Sequence, residues 1–120
     1  LTAQVKFENG RTASLNAFTH TPFFSRLAIF GAKGWVEVRD KAHVQAPEGW
    51  FFTTCFTDGK AETVEYEVAT PVLSNLECFA DAVAGKAEYP NTPEQIVRNV
   101  SLLEAIVKSA ATEEIVRIER

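Results

Sequence analysis

His20 and His43 are the side chains best suited by type to move a proton near neutral pH, so each is a candidate general base or ligand. His20 lies in the run Phe-Thr-His-Thr-Pro-Phe-Phe-Ser, Phe18 to Ser25, and Arg26 follows directly after that run. An imidazole and a guanidinium beside phenylalanine rings could bind a polyol or a carboxylate, which makes His20 and Arg26 the candidate substrate-binding residues. The plainer reading, a surface loop whose Phe23 and Phe24 tuck back into the core, is the favoured one. His43 sits in a polar stretch and reads as solvated. Glu77 and Asp81 have the i, i+4 spacing of paired carboxylates, yet they fall on the polar side of an amphipathic helix. No residue in the chain stands out as catalytic.

The glycine turns do not supply a nucleotide site. Gly31-Ala-Lys-Gly34 does not match G-x-G-x-x-G, there is no P-loop signature, and neither it nor Asn9-Gly10 leads into a helix. The expectation is that this chain binds no cofactor. Cys55 and Cys78 form no C-x-x-C pair and have no histidine at metal-ligand spacing, so no metal site is expected. They read as small buried hydrophobes.

The elements that must position these groups follow from periodicity. Ala3, Val5 and Phe7 alternate with Gln4, Lys6 and Glu8, the period-two pattern of a strand with one buried face. Asn9-Gly10 predicts a hairpin with a type I′ turn, and Ala13, Leu15 and Ala17 line one face of the returning strand. Pro22 marks a loop or an edge. Leu27 to Phe30 and Trp35 to Val38 flank a second hairpin turn at Gly31–Gly34. A short strand is expected near Val44. From Trp50 to Thr57 both faces are apolar: Trp50, Phe52 and Phe56 on one side, Phe51 and Cys55 on the other. Asp58-Gly59 turns the chain into a strand carrying Val64, Tyr66 and Val68. Ile115, Val116 and Ile118 suggest a final strand.

Two helices fall between these last strands. The first is expected from about Pro71 to Ala84, with Val72, Leu76, Phe79 and Val83 on one face. Thr70 and Pro71 suit its start, and Gly85 suits its end. Thr92-Pro93-Glu94-Gln95 is a capping box with proline in the first helical position. Behind it Ile96, Val100, Leu103, Val107 and Ala110 form a stripe. Hairpins make antiparallel pairs, so the expected class is α+β: a mostly antiparallel open sheet with two C-terminal amphipathic helices packed on one face.

Composition narrows the partners. The chain has 120 residues, 46% hydrophobic and 23% charged, which suits a single globular domain spanning 1–120. A formal charge of −4 without a lysine or arginine cluster argues against nucleic acid or a membrane surface as partner. No apolar run approaches the roughly 20 residues of a membrane span, and no signal peptide opens the chain. With its unpaired cysteines, the expected location is cytoplasmic. The chain contains no methionine and begins at Leu1 within a strand pattern, so it is expected to be part of a longer protein.

One stretch also carries a resemblance. Asn75-Leu-Glu-Cys-Phe-Ala-Asp-Ala-Val-Ala-Gly-Lys86, Tyr89-Pro90, Thr92-Pro-Glu-Gln95, Leu103-Glu-Ala-Ile106 and Ser109-Ala110 resemble the last two helices of the Gfo/Idh/MocA-type NAD(P)-dependent oxidoreductases. Those enzymes join an N-terminal Rossmann domain to a C-terminal α/β domain. The resemblance implies that the chain is the C-terminal part of such an enzyme, acting on a sugar, polyol or related hydroxyl/carbonyl compound. NAD or NADP is implied for the parent protein only. The family's G-x-G-x-x-G turn, Glu-Lys-Pro segment and Asp/His pair match no position here, so no catalytic residue carries over, and the chain alone is not expected to be catalytic.

Two helices can cover only one face of the sheet. The other would carry small polar residues, Ser14 and Asn16 among them, together with aromatics such as Trp35 and Phe51. A mixed face of this kind suits a subunit interface. These four residues are the candidate interface of a homo-oligomer, and the resemblance implies the same use of the open face. A stand-alone, non-catalytic dimerisation or small-ligand-binding module is the competing reading.

Overall fold

A computed structural model describes residues 1–57 and 59–118. The fold is α+β, with six antiparallel strands in two open sheets followed by two helices. Contacts gather into two compact units, Leu1–Ala17 with Val72–Arg120, and Phe18–Pro71. The single sheet expected from sequence is therefore two. The Phe18–Ser25 run, interrupted by Pro22, adopts no regular structure and joins no ladder.

In the first unit β1 (Thr2–Lys6) pairs with β2 (Thr12–Asn16), placing Ala3 opposite Leu15 and Val5 opposite Ala13. The alternation sorts the sheet into an apolar face and a polar one. On the polar face Thr2 Oγ1 donates to Asn16 Oδ1 at 3.0 Å, and Gln4 Nε2 donates to Ser14 Oγ at 2.9 Å. The turn is not type I′. Gly10 donates its N–H to the Phe7 carbonyl at 2.9 Å and alone in the turn has positive φ. Asn9 stays right-handed and instead accepts the Arg11 N–H on its side-chain oxygen at 3.1 Å.

Helix α1 (Pro71–Val83) ends in a Schellman motif. Gly85, at φ 70°, donates to the Ala82 carbonyl at 3.1 Å, and Lys86 donates to that of Asp81 at 2.9 Å. No hydrogen bond from Thr70 caps its start among the described residues. The following loop is tied back to the helix. The Tyr89 hydroxyl donates to Asn75 Oδ1 at 2.6 Å, and its ring meets Phe79 edge-on at 5.9 Å.

Helix α2 (Pro93–Thr112) starts on the expected capping box. Thr92 Oγ1 accepts the Gln95 N–H at 3.3 Å, while Gln95 Oε1 accepts the Thr92 N–H at 2.9 Å. At its far end Glu113 is left-handed, and its N–H reaches the Ser109 carbonyl at 2.9 Å. Ser109 Oγ then donates to the Glu114 carbonyl at 2.7 Å. This bond holds the chain against the helix terminus, and Ile115 to Ile118 form no strand, contrary to expectation. The apolar stripes of both helices stand exposed, with Leu76 at 58% and Leu103 at 61%. Cys78, outside the α1 stripe, is exposed and Cys55 half-buried, so the buried pair read from sequence is not found; both are free thiols.

The second unit is a four-stranded sheet in the order β3 (Arg26–Gly31), β4 (Gly34–Asp40), β5 (Trp50–Phe56), β6 (Glu62–Tyr66). Ala32 and Lys33 make the β3–β4 turn, as the flanking glycines predict. The Lys41–Gly49 connection contains a turn in place of the strand expected near Val44. The His43 carbonyl accepts the Ala46 N–H at 2.8 Å, and His43 Nδ1 accepts the Gln45 N–H at 3.2 Å. Backbone donors committed locally in this way are lost to a ladder. Asp58 of the expected Asp58-Gly59 turn lies outside the described residues; Gly59 donates to the Phe56 carbonyl at 3.0 Å.

Register makes this sheet two-sided. Leu27, Ile29, Val36, Val38, Trp50, Phe52, Val64 and Tyr66 share one largely apolar face, with Asp40, Thr54 and Glu62 toward its ends. Val38, Trp50, Phe52 and Tyr66 line an open hollow of about 300 Å³ on it. No hydrophobic side chain is fully buried among the described residues.

Gly34 is where the sheet tolerates least change. Its φ is +145°, and a Cβ there would lie 2.1 Å from the Cys55 carbonyl oxygen. Gly34→Ala is expected to destabilise the chain by roughly 2–3 kcal/mol in urea unfolding. Gly85→Ala, with open space around it, should cost only about 1 kcal/mol. Equal losses would contradict this packing.

The start of α2 should respond to acid. Hydrogen bonds from its own backbone N–H and from Thr92, and then the charge of Arg98, hold the Glu94 carboxyl below its ordinary value of 4.5. A depressed folded pKa gives stabilisation that is complete above the unfolded value and lost as pH falls through the folded one. Helical circular dichroism should therefore decline as pH drops below about 4.5, and Glu94→Gln should flatten that decline.

Candidate functional site

The opposite face of the four-stranded sheet carries most of its charge, together with Phe30, Trp35 and Phe51. Register places Arg26 across from Arg39, Arg39 across from Phe51, and Phe51 across from Glu65, in one row across all four strands. Directly opposed like charges destabilise a sheet, and each cation here has a partner that relieves this. Arg26 Nη1 lies 3.5 Å from Glu37 Oε2. The Arg39 guanidinium lies 5.2 Å from the Phe51 ring centre, a cation–π contact.

Lys41, just past the end of β4, approaches the same ring. Its ammonium is 5.3 Å from the Phe51 centre and pairs with Glu65. The Lys41 side chain is only 13% exposed. Thr53 and Thr63 share a hydroxyl hydrogen bond of 2.9 Å in the neighbouring row. Trp35, opposite Phe30 and Cys55, extends the face toward the β3–β4 turn.

Such a surface has fixed positive charge, one half-buried acid (Glu37), one exposed acid (Glu65) and large π faces. It suits contact with another protein surface or with a carboxylate. It contains no nucleophile held against a base.

The residues selected from sequence distribute as follows. Trp35 and Phe51 lie on this one face. Ser14 and Asn16 lie on the polar face of the β1–β2 sheet, joined by an Asn16 Nδ2 to Ser14 Oγ bond of 3.4 Å. The four candidate interface residues thus belong to two sheets, not one. Arg26 opens β3, paired with Glu37 and 6.0 Å from the Phe24 ring centre. His20 sits in the irregular run, its Nδ1 3.0 Å from Thr19 Oγ1. No hydrogen bond or ion pair joins His20 to Arg26 among the described residues. His43 meets Phe23 edge-on at 5.2 Å.

Arg39, Lys41 and Glu65 were not singled out by sequence. Their signal is the strand register, which aligns them on Phe51 and which no single strand displays.

Neither the Gly31–Gly34 turn nor the start of α2 has the geometry of a pyrophosphate site. The Gly31–Gly34 turn feeds β4. The start of α2 has Pro93 in its first turn and its Gln95 N–H engaged by Thr92 Oγ1. A pyrophosphate needs free N–H groups at such a terminus. Among the described residues, no group of three His, Cys, Asp or Glu is placed to hold a metal ion, and no helix is long and apolar enough to cross a membrane.

No protein-family model, curated protein or solved structure matches the chain.

Proposed function

We propose that this chain is the substrate-side and oligomerisation domain of an NAD(P)-dependent oxidoreductase that resembles the Gfo/Idh/MocA type and acts on a sugar, polyol or related hydroxyl/carbonyl compound. The observation that supports assembly is the row Arg26–Arg39–Phe51–Glu65, with Trp35 beside it on an open sheet face. Aromatic residues and arginine are the types enriched where protein surfaces meet. A face that mixes both charge signs can pair with itself about a two-fold axis, each copy offering cations to the other's acids.

The enzymatic half of the reading rests on the helical motif from Asn75 to Ala110. In it, hydride transfer and nucleotide binding belong to a separate Rossmann domain, and this chain contributes a wall of the substrate cleft. A polyol or sugar acid would meet Arg26 or the Arg39 guanidinium. A stand-alone dimerisation module with the same open face is the alternative. The coding sequence ahead of Leu1 separates the two: an in-frame G-x-G-x-x-G and Glu-Lys-Pro supports the enzyme, and an immediate start codon contradicts it.

Assembly is tested by sedimentation equilibrium of the purified chain over a range of concentrations. A discrete dimer or tetramer is expected, with affinity reduced at least tenfold, about 1.4 kcal/mol, by Trp35→Glu. A wild-type monomer at all concentrations, or an unchanged oligomer in Trp35→Glu, contradicts the role given to this face.

A further inference from the structure

Strand β3 ends the four-stranded sheet and, among the described residues, pairs only with β4. In an antiparallel ladder, alternate residues turn their N–H and C=O toward the partner strand. The two-residue turn makes Gly31 and Gly34 the closing pair. At the other end Asp40 donates to the Ser25 carbonyl at 3.3 Å. Both fix the same phase: residues 25, 27, 29 and 31 face β4. Arg26, Ala28 and Phe30 therefore present their backbone groups outward.

The sheet's two edges are not alike. The β6 edge carries Glu62 and Glu65, charges of the kind that discourage a further strand. From Leu27 to Gly31 the β3 edge has no charge and no proline. Its side chains are open, with Phe30 at 77% exposure. An apolar, unprotected edge of this length is a template for strand addition.

The sequence of β3 favours itself as the added strand. We propose that β3 pairs antiparallel with β3 of a second copy about a two-fold axis at Ile29, joining two four-stranded sheets into one. In that register Ala28 lies opposite the second copy's Phe30 and Leu27 opposite its Gly31, so large side chains meet small ones. Ala28 and Phe30, whose N–H and C=O groups are turned outward, form the hydrogen-bonded pairs. Arg26 falls beyond the overlap at each end, which keeps the two arginines apart. Centring on Phe30 would set the two rings directly against each other, and centring on Ala28 would bring each Arg26 opposite a Phe30. This pairing is separate from the face contact at Trp35, and a chain could use either without the other.

Disulfide trapping tests the register in a chain carrying Cys55→Ser and Cys78→Ser. Ile29 would face its counterpart at a non-hydrogen-bonded site, where Cα atoms are close enough to be bridged. Ile29→Cys should therefore oxidise to a covalent dimer. Leu27→Cys, displaced from its own counterpart along the strand, should not. Adding Ala28→Pro removes an outward N–H without touching the β4 ladder and should abolish the Ile29→Cys cross-link. Trp35→Glu should leave it in place. No cross-link at Ile29→Cys, or equal cross-linking at Leu27→Cys, overturns the proposal. So does a cross-link that survives Ala28→Pro in a chain whose circular dichroism is unchanged.

Discussion

The β4–β5 ladder is the constraint on which the larger sheet depends. It pairs seven positions, from Gly34 with Phe56 to Asp40 with Trp50. Its residues contribute to both faces at once. Val36, Val38, Trp50 and Phe52 form the centre of the apolar side, while Trp35, Arg39 and Phe51 form the centre of the charged one. Because side chains alternate with period two, a slip of one residue would exchange the faces. Gly34 helps to prevent that slip, since only a residue without Cβ allows the Cys55 carbonyl to approach so closely.

The same ladder bears on the assembly proposed for the sheet. Burying a large apolar side chain stabilises a fold by about 1.5–3 kcal/mol, and none of the eight on the apolar face is fully buried, with Leu27, Ile29, Val64 and Tyr66 exposed. The helix stripes led by Leu76 and Leu103 are open as well. Exposed apolar surface on this scale marks an interaction site in a soluble chain. The proposed function builds on this: a domain whose sheet would be completed by contact with other protein, with the charged face adding specificity.

Signals confined to neighbouring residues were readable from sequence. Thr92 and Gln95 predicted a capping box, Gly85 a helix end, and the paired glycines at 31 and 34 a hairpin; all three are present. Each depends on backbone chemistry within a few residues. Features that depend on what lies opposite were not readable. The alignment of Arg39, Lys41 and Glu65 on Phe51 requires the register of three strands. The separation of Ser14 and Asn16 from Trp35 and Phe51 depends on where the ladder is interrupted, and alternation alone does not reveal that. Ile115 to Ile118 had the pattern of a strand, but the Ser109–Glu114 bond holds the preceding turn against α2. His43, read as a solvated residue on a polar stretch, is exposed, and its ring and carbonyl also organise a turn.

The central claim is that association supplies stability that the chain lacks alone. Thermal unfolding measured across a hundredfold range of protein concentration tests it most directly, because a fold completed by a second copy has a midpoint that depends on concentration. The account predicts a Tm that rises steadily with concentration. A Tm that stays constant over that range would contradict it, and would mean that the exposed faces are closed within a single chain.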